Sequence, residues 1–341
     1  MTRPLKMEPA RRLPPRRNGS SGPSRRASVD SALPEMAFGF MRRVRRGVDE
    51  GLEPLAAAEH AAAALPRRLR DAAERIGRRV RGEYTEDEWG FDEEFADAVF
   101  PFMELLYDRW WRVQATGLSN VPSHGRAMLV GNHSGALFPF DAAMMMTSVL
   151  KEHPLPRWPR PLVLNWAFEL PYLSFVMRKV GGVPAKPANA ERLLEQDNLV
   201  MVFPEGVKGT GKPFSERYRL QRFGRGGFIE VALRTGSPIV PVAVVGAEEI
   251  YPKVAESQTI ANLVGAPFAP ITPTFPLLGP LGLIPLPSRW RIEFCDPVDL
   301  SEYPPEAAED RRLVFDLAEQ IRETIQAKLY ENLVKRGSAF L

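Results

Sequence analysis

The stretch Gly131-Asn132-His133-Ser134-Gly135, with Asp141 eight residues beyond the histidine, supplies the residue types of a general base and its orienting carboxylate. An imidazole titrates near neutrality, so it can take a proton from an alcohol as that oxygen attacks a carbonyl. Asp141 could accept from the other ring nitrogen, fixing the tautomer and stabilising the imidazolium. It also stands where a helix N-cap belongs, and His133 could equally be a strand-end histidine bonded to backbone. No serine or cysteine nucleophile is required if a substrate hydroxyl is itself the nucleophile. A second block, Phe203-Pro204-Glu205-Gly206, follows about seventy residues later. Both blocks come after apolar strands predicted over Ala127 to Val130 and Leu199 to Phe203, so two strand ends can converge on one cleft.

Two rival chemistries are tested by spacing. The first block is close to a serine-hydrolase elbow, but its serine is one position late for Gly-x-Ser-x-Gly. The segment Gly206 to Lys212 has the Gly-x4-Gly-Lys spacing of a phosphate-cradling loop. Pro213 then stands where such a loop needs a Ser/Thr hydroxyl for Mg²⁺.

Apolar strands alternating with helical patterns position these blocks. Helices are predicted over Asp141 to Leu150, Leu170 to Val180, Asn189 to Leu194 and Phe228 to Leu233, the last closed by Gly236. Further strands are predicted over Pro161 to Leu164, Pro238 to Val245 and Arg291 to Phe294. This order predicts a layered α/β/α domain with a largely parallel central sheet, spanning 88–341. Phe95, Val99, Phe102, Leu105 and Leu106 form a helical stripe ending at Trp110-Trp111, read as core packing. A final helix carries an i+4 ladder from Leu317 to Leu333, with Gly337 suited to its C′ position.

The chain has 341 residues, and 44% of them are apolar, enough for a globular core but too few for a multi-span membrane protein. Its formal charge of +3 hides an asymmetry. Residues 1–81 hold 19 Lys/Arg against 9 Asp/Glu, a surplus of ten, which leaves the rest at seven negative. Residues 1–34 read as a disordered basic arm, and 35–87 as a basic helical segment able to associate with a membrane. Within it Phe40, Val44 and Val48 recur at i+4 among Arg42, Arg43, Arg45 and Arg46, and a second helix runs from Leu55 to Val80, interrupted by Pro66. Such an arm suits an anionic partner, lipid or nucleic acid. Cys295 is the only cysteine, which rules out an intramolecular disulfide and suggests a reducing cytoplasm. No signal-peptide core opens the chain, so attachment to a membrane is expected to be peripheral. Residues 265–288 are apolar yet full of proline and cannot form a spanning helix. They could dip into a lipid interface, line an acyl cavity or simply cover the surface.

Taken together, the blocks resemble the glycerolipid acyltransferase family, which includes the 1-acyl-glycerol-3-phosphate (lysophosphatidate) acyltransferases. Asn132-His133 with Asp141 resembles its first motif, Gly182-Val183-Pro184-Ala185-Lys186 its second, Phe203-Pro204-Glu205-Gly206 its third and Val240-Pro241-Val242 its fourth. The resemblance spans roughly 110–300. It implies that His133 deprotonates a glycerol hydroxyl, which attacks an acyl thioester carried by CoA or acyl carrier protein, while Asp141 orients His133. It further implies acceptor contacts from Asn132, Ser134, Phe203, Pro204, Glu205 and Gly206, and phosphate binding by Lys208 or Lys186. It implies no metal or prosthetic group, and work at the cytoplasmic face of a membrane, without nucleic acid. The chain departs from the family in two places. Seven residues rather than four separate His133 from Asp141, and Val207-Lys208-Gly209 replaces the usual Thr-Arg-Ser. Loss of that arginine leaves a neutral mono- or diacylglycerol acceptor open, and beyond that a lipid-binding protein without chemistry.

Overall fold

The computed structural model describes residues 32–80, 86–134, 138–169, 173–264 and 269–340. Seven strands form one sheet: β1 (Gln114–Thr116), β2 (Ala127–Gly131), β3 (Pro159–Val163), β4 (Val183–Pro184), β5 (Leu199–Val202), β6 (Ile239–Val245) and β9 (Arg291–Phe294). Their order is β1-β9-β6-β2-β5-β3-β4. From β6 through β4 all neighbours are parallel, whereas β9 runs antiparallel to β6 and carries β1 with it. The sheet is therefore largely parallel, as its alternating pattern predicts. Every residue of β2 and β6 is buried, the signature of central strands covered on both faces.

Strict alternation divides β2 between two cores. Met128 and Val130 face one layer, formed by α7 (Pro187–Glu195), α9 (Gly227–Thr235) and α11 (Arg311–Arg336), through Leu193, Ile229, Leu233, Ile321 and Ile325. Ala127 and Leu129 face the other, where α5 (Phe140–Glu152) supplies Met144, Met145 and Val149 against Trp111 and Trp290. The ladder read in the sequence thus docks α11 on the sheet, and Asp310 caps its N-terminus by accepting from the Arg312 and Leu313 amides. Gly236 closes α9 at φ 60°, a left-handed position that glycine adopts without a Cβ clash.

The helical stripe before the sheet becomes α4 (Glu93–Leu105), capped by Asp92 and continued by a π-helical turn over Leu106–Trp110. Upstream, α1 (Ala32–Asp49), α2 (Pro54–Ala62) and α3 (Arg67–Val80) form the basic helical segment, broken at Pro66 as proline requires. Helix α1 begins at Ala32, so it takes in the last three residues of the expected disordered arm; the remainder of that arm lies outside the described residues. Helix α6 (Leu173–Lys179) occupies most of the Leu170–Val180 prediction, whose first three residues also lie outside them. Among the described residues no helix is long and apolar enough to cross a membrane.

The reversal of β9 has a topological effect. Val245 pairs with Arg291, so residues 246–290 leave and rejoin the sheet at the same edge, the carboxyl edge of β2, β5 and β6. This excursion holds the small sheet of β7 (Ala255–Glu256) and β8 (Pro270–Ile271), with α10 (Gln258–Val264) between them in the chain.

Candidate functional site

Strands β2 and β5 pair in parallel from Ala127↔Leu199 to Val130↔Val202. The residues just past them therefore lie about 5 Å apart across the ladder. This brings the His133 and Glu205 blocks to one place. The His133 ring stacks on Phe203 with centroids 4.6 Å apart, and its side chain keeps 16% of its surface exposed.

Asp141 sits in the first turn of α5, after Pro139 at the cap, and is fully buried. Its Oδ2 lies 2.7 Å from His133 Nδ1 and also accepts from the Ser134 amide at 2.7 Å, while Oδ1 accepts from the Ala142 amide at 2.8 Å. The carboxylate can only accept, so Nδ1 carries the proton and Nε2 presents a lone pair. Among the described residues Nε2 has no protein partner. That is the geometry of an oriented general base. Asp141 thus reaches the ring despite the widened spacing, part of which, residues 135–137, lies outside the described residues. Asp141 is not the helix cap.

Glu205 faces inward. Its Oε1 accepts from the His133 amide at 2.9 Å and its Oε2 from the Gln221 amide at 2.7 Å, with Lys212 Nζ 3.5 Å from Oε2. Its side chain is fully buried, and through these contacts it ties three loops together. Asn132 is likewise withdrawn, its amide bridging to the Val244 carbonyl at 3.0 Å and the Val244 amide at 2.7 Å on β6. Ser134 is 1% exposed and contributes its amide to Asp141. Phe203, half-buried, forms the wall beside the ring, half-buried Pro204 follows it, and Gly206 turns the chain at φ 55°, ψ −145°, a region that only glycine populates freely.

Beyond Gly206 the chain forms the short helix α8 (Val207–Thr210). Gly209 packs directly under the histidine, where a Cβ would stand 2.9 Å from both Cβ and O of His133. Lys208 is exposed and lines a 370 Å³ cavity with Val207, Gly211, Lys212, Gln221 and Glu256; His133 stands outside that lining. Lys186 is exposed at the N-terminus of α7, beyond β4 and three strands from β2, so the two candidate phosphate cations are not brought together. Lys212 ends the phosphate-loop reading. It is 3% exposed, donates to Glu248 Oε1 at 3.1 Å and the Arg219 carbonyl at 3.2 Å, and pairs with Glu205, leaving no donor for a nucleotide.

The ionic chain continues past these residues. Glu248 accepts from the Tyr218 amide, the Tyr218 hydroxyl donates to Glu249, and Arg336 of α11 forks onto Glu249 at 2.8 and 3.0 Å. Burial and the Glu249 charge push the Tyr218 phenol well above its usual range, so it stays a donor. Tyr218 and Glu248 escape a reading of the sequence for catalytic types, and Lys212 draws attention only as a phosphate ligand. The available signal was Glu248-Glu249 directly after the apolar β6, a carboxylate pair at the same sheet edge as the two blocks.

The sequence model of the Acyltransferase family matches residues 112–245. An uncharacterized protein of Mycobacterium leprae is 47% identical over 266 residues, covering 78% of this chain and 72% of its own. Phytyl ester synthase 2 of Arabidopsis thaliana is 30% identical over 153 residues, 43% of this chain and 21% of that protein. The 1-acyl-sn-glycerol-3-phosphate acyltransferase of Borreliella burgdorferi is 25% identical over 146 residues, 42% of this chain and 54% of that one.

Burial drives the Glu248 carboxyl up to about 7, against the pull of Lys212 and with a further push from Glu205. A folded value above the unfolded 4.5 means that its stabilising contribution is complete below pH 4.5 and disappears as pH rises through 7. Urea unfolding at pH 5.5 and 8 should therefore show a loss of stability at the higher pH that Glu248→Gln reduces. An undiminished loss in the variant would assign the pH dependence to other groups.

Proposed function

Because the chain belongs to the acyltransferase family and is an acyl-transferring enzyme, we propose that it moves a fatty acyl group from an acyl thioester to a glycerol hydroxyl of a lysophospholipid, 1-acyl-glycerol-3-phosphate in the first instance. The observation that carries this reading is the 2.7 Å contact of His133 Nδ1 with buried Asp141, which leaves Nε2 free at a partly open surface. Nε2 takes the hydroxyl proton as the acceptor oxygen bonds to the thioester carbonyl carbon. The carbon–sulfur bond then breaks, and the imidazolium returns its proton to the departing thiolate. The products are an ester and a free thiol, with CoA or acyl carrier protein as the carrier, and no metal or prosthetic group enters. Asp141 acts as a positioning residue that holds the ring and its tautomer. His133→Ala should lower the transfer rate about 10²–10⁴-fold with the fold intact by circular dichroism, since that is the range a positioned base supplies. Undiminished turnover would remove the base from His133.

A second acceptor reading has its own support. Lys208 is the cation free to meet a phosphate at the cavity, and Glu216 and Glu256 share the lining, a weak field for a dianion. The match to phytyl ester synthase 2 also has higher identity than that to the phosphorylated-acceptor enzyme. A mono- or diacylglycerol acceptor fits these facts. Purified protein assayed with phosphorylated and neutral glycerol acceptors separates the two. For a phosphorylated acceptor, Lys208→Ala should raise KM by up to about fivefold, the loss of one exposed charge contact. An unchanged KM there, with transfer to the neutral acceptor, would select the second reading.

We also propose a peripheral position at the cytoplasmic face of a membrane, with lipid as partner. The exposed Arg42, Arg43, Arg45 and Arg46 of α1 supply attraction to anionic headgroups. Replacing all four by alanine should weaken binding to anionic vesicles, most at low salt because screening shortens the reach of exposed charges. Equal binding at low salt would assign these arginines to another purpose.

A further inference from the structure

From Ser257 to Ser288 the chain runs 32 residues without a charged side chain, although 26% of the whole chain is charged. The run belongs to the excursion that leaves and rejoins the sheet at the His133 edge. At its apex Leu277 is 82% exposed and Leu278 is 52% exposed, the former among the most exposed large apolar side chains of the molecule. We propose that the loop over 272–284 is a membrane-insertion element, with Leu277 and Leu278 entering the acyl-chain boundary of a bilayer and setting the catalytic edge against it. The inference rests on the lipid-acceptor reading above and deepens it.

Three observations support a bilayer as the occupant. The loop is held firmly at its base: the Trp110 indole donates to the Pro285 carbonyl at 3.0 Å, Trp111 to Leu286 at 3.2 Å and the Tyr251 hydroxyl to Leu283 at 2.6 Å. A free apolar loop would collapse onto the protein, whereas this one is braced with its leucines outward. Its backbone is also prepared for a medium without water. The Thr272, Leu278 and Gly279 amides bond to the carbonyls of Phe275, Thr274 and Pro276 at 2.8 Å each, and Thr272 and Thr274 hydroxyls satisfy further groups. Pro273, Pro276, Pro280, Pro285 and Pro287 carry no amide donor to desolvate. Finally, the absence of charge removes the largest cost of entering lipid.

Phe138 and Leu164, exposed in the loops that follow β2 and β3, add apolar side chains at the same sheet edge. A lipid acceptor held in a bilayer meets His133 at that edge without leaving the membrane surface, and the thioester approaches from the aqueous side.

The test uses the full chain and vesicles of phosphatidylcholine with phosphatidylglycerol, comparing wild type with the double variant Leu277→Glu, Leu278→Glu. Leu155→Glu serves as the control, since Leu155 is 53% exposed at the opposite edge, between α5 and β3. Vesicle partition should fall at least tenfold in the double variant and remain unchanged in the control. Transfer to a vesicle-embedded acceptor should fall in parallel, while transfer to a short-chain acceptor dispersed as monomers is kept. Equal partition by the double variant overturns the proposal, and so does an equal loss of transfer to both acceptors, which would make the loop part of the reaction pocket. If wild type acylates no glycerol acceptor yet still loses vesicle binding in the double variant, the membrane element stands and the acceptor assignment falls.

Discussion

The site depends on one buried carboxylate. Glu205 is removed from water, an expensive state for a charge, and remains stable because each oxygen is occupied: one by the His133 amide, the other by the Gln221 amide and the Lys212 ammonium. The same contacts fix the loop after β2, the turn after β5 and the segment that returns toward α9. Asp141 then has only the ring to orient, because the backbone of His133 is already held. The Asn132 bridge to β6 supplies the third side of this frame.

Most of the scaffold was legible because it is written in periodicity. Fully apolar β2 and β6 could only be central strands, and the 317–333 ladder could only be a helix lying along a core. The reversal of β9 was not legible. Arg291–Phe294 alternates like many edge strands, and its direction is set by the length and path of the preceding excursion rather than by its own residues. The helical segment before the domain was readable from its spacing and from Pro66.

The reacting pair was also visible, since a histidine and an aspartate just past an apolar strand are a chemical pattern. What the motif residues do was less so. Asn132, Ser134 and Glu205 are polar and sit in motif blocks, features that suggest contact with a substrate. The fold spends them on its own backbone because three strand ends leave unpaired amides and carbonyls that must be satisfied. A sequence names polar groups without saying which way they face. Lys212 shows the same difficulty: its spacing suggests phosphate, but two buried carboxylates claim it first.

Arg336 lies in the last turn of α11, yet through Glu249, Tyr218, Glu248, Lys212 and Glu205 it is joined by successive ionic or hydrogen-bonded contacts to the amide of His133. A buried cation meets buried carboxylates at each end of that route, Arg336 on Glu249 and Lys212 on Glu248 and Glu205, so neutralising one member leaves its neighbour uncompensated in a dry interior. A change confined to the last turn of α11 therefore reaches the loop that carries the imidazole, although among the described residues Arg336 itself bonds only to Tyr218, Glu249 and the Arg289 carbonyl.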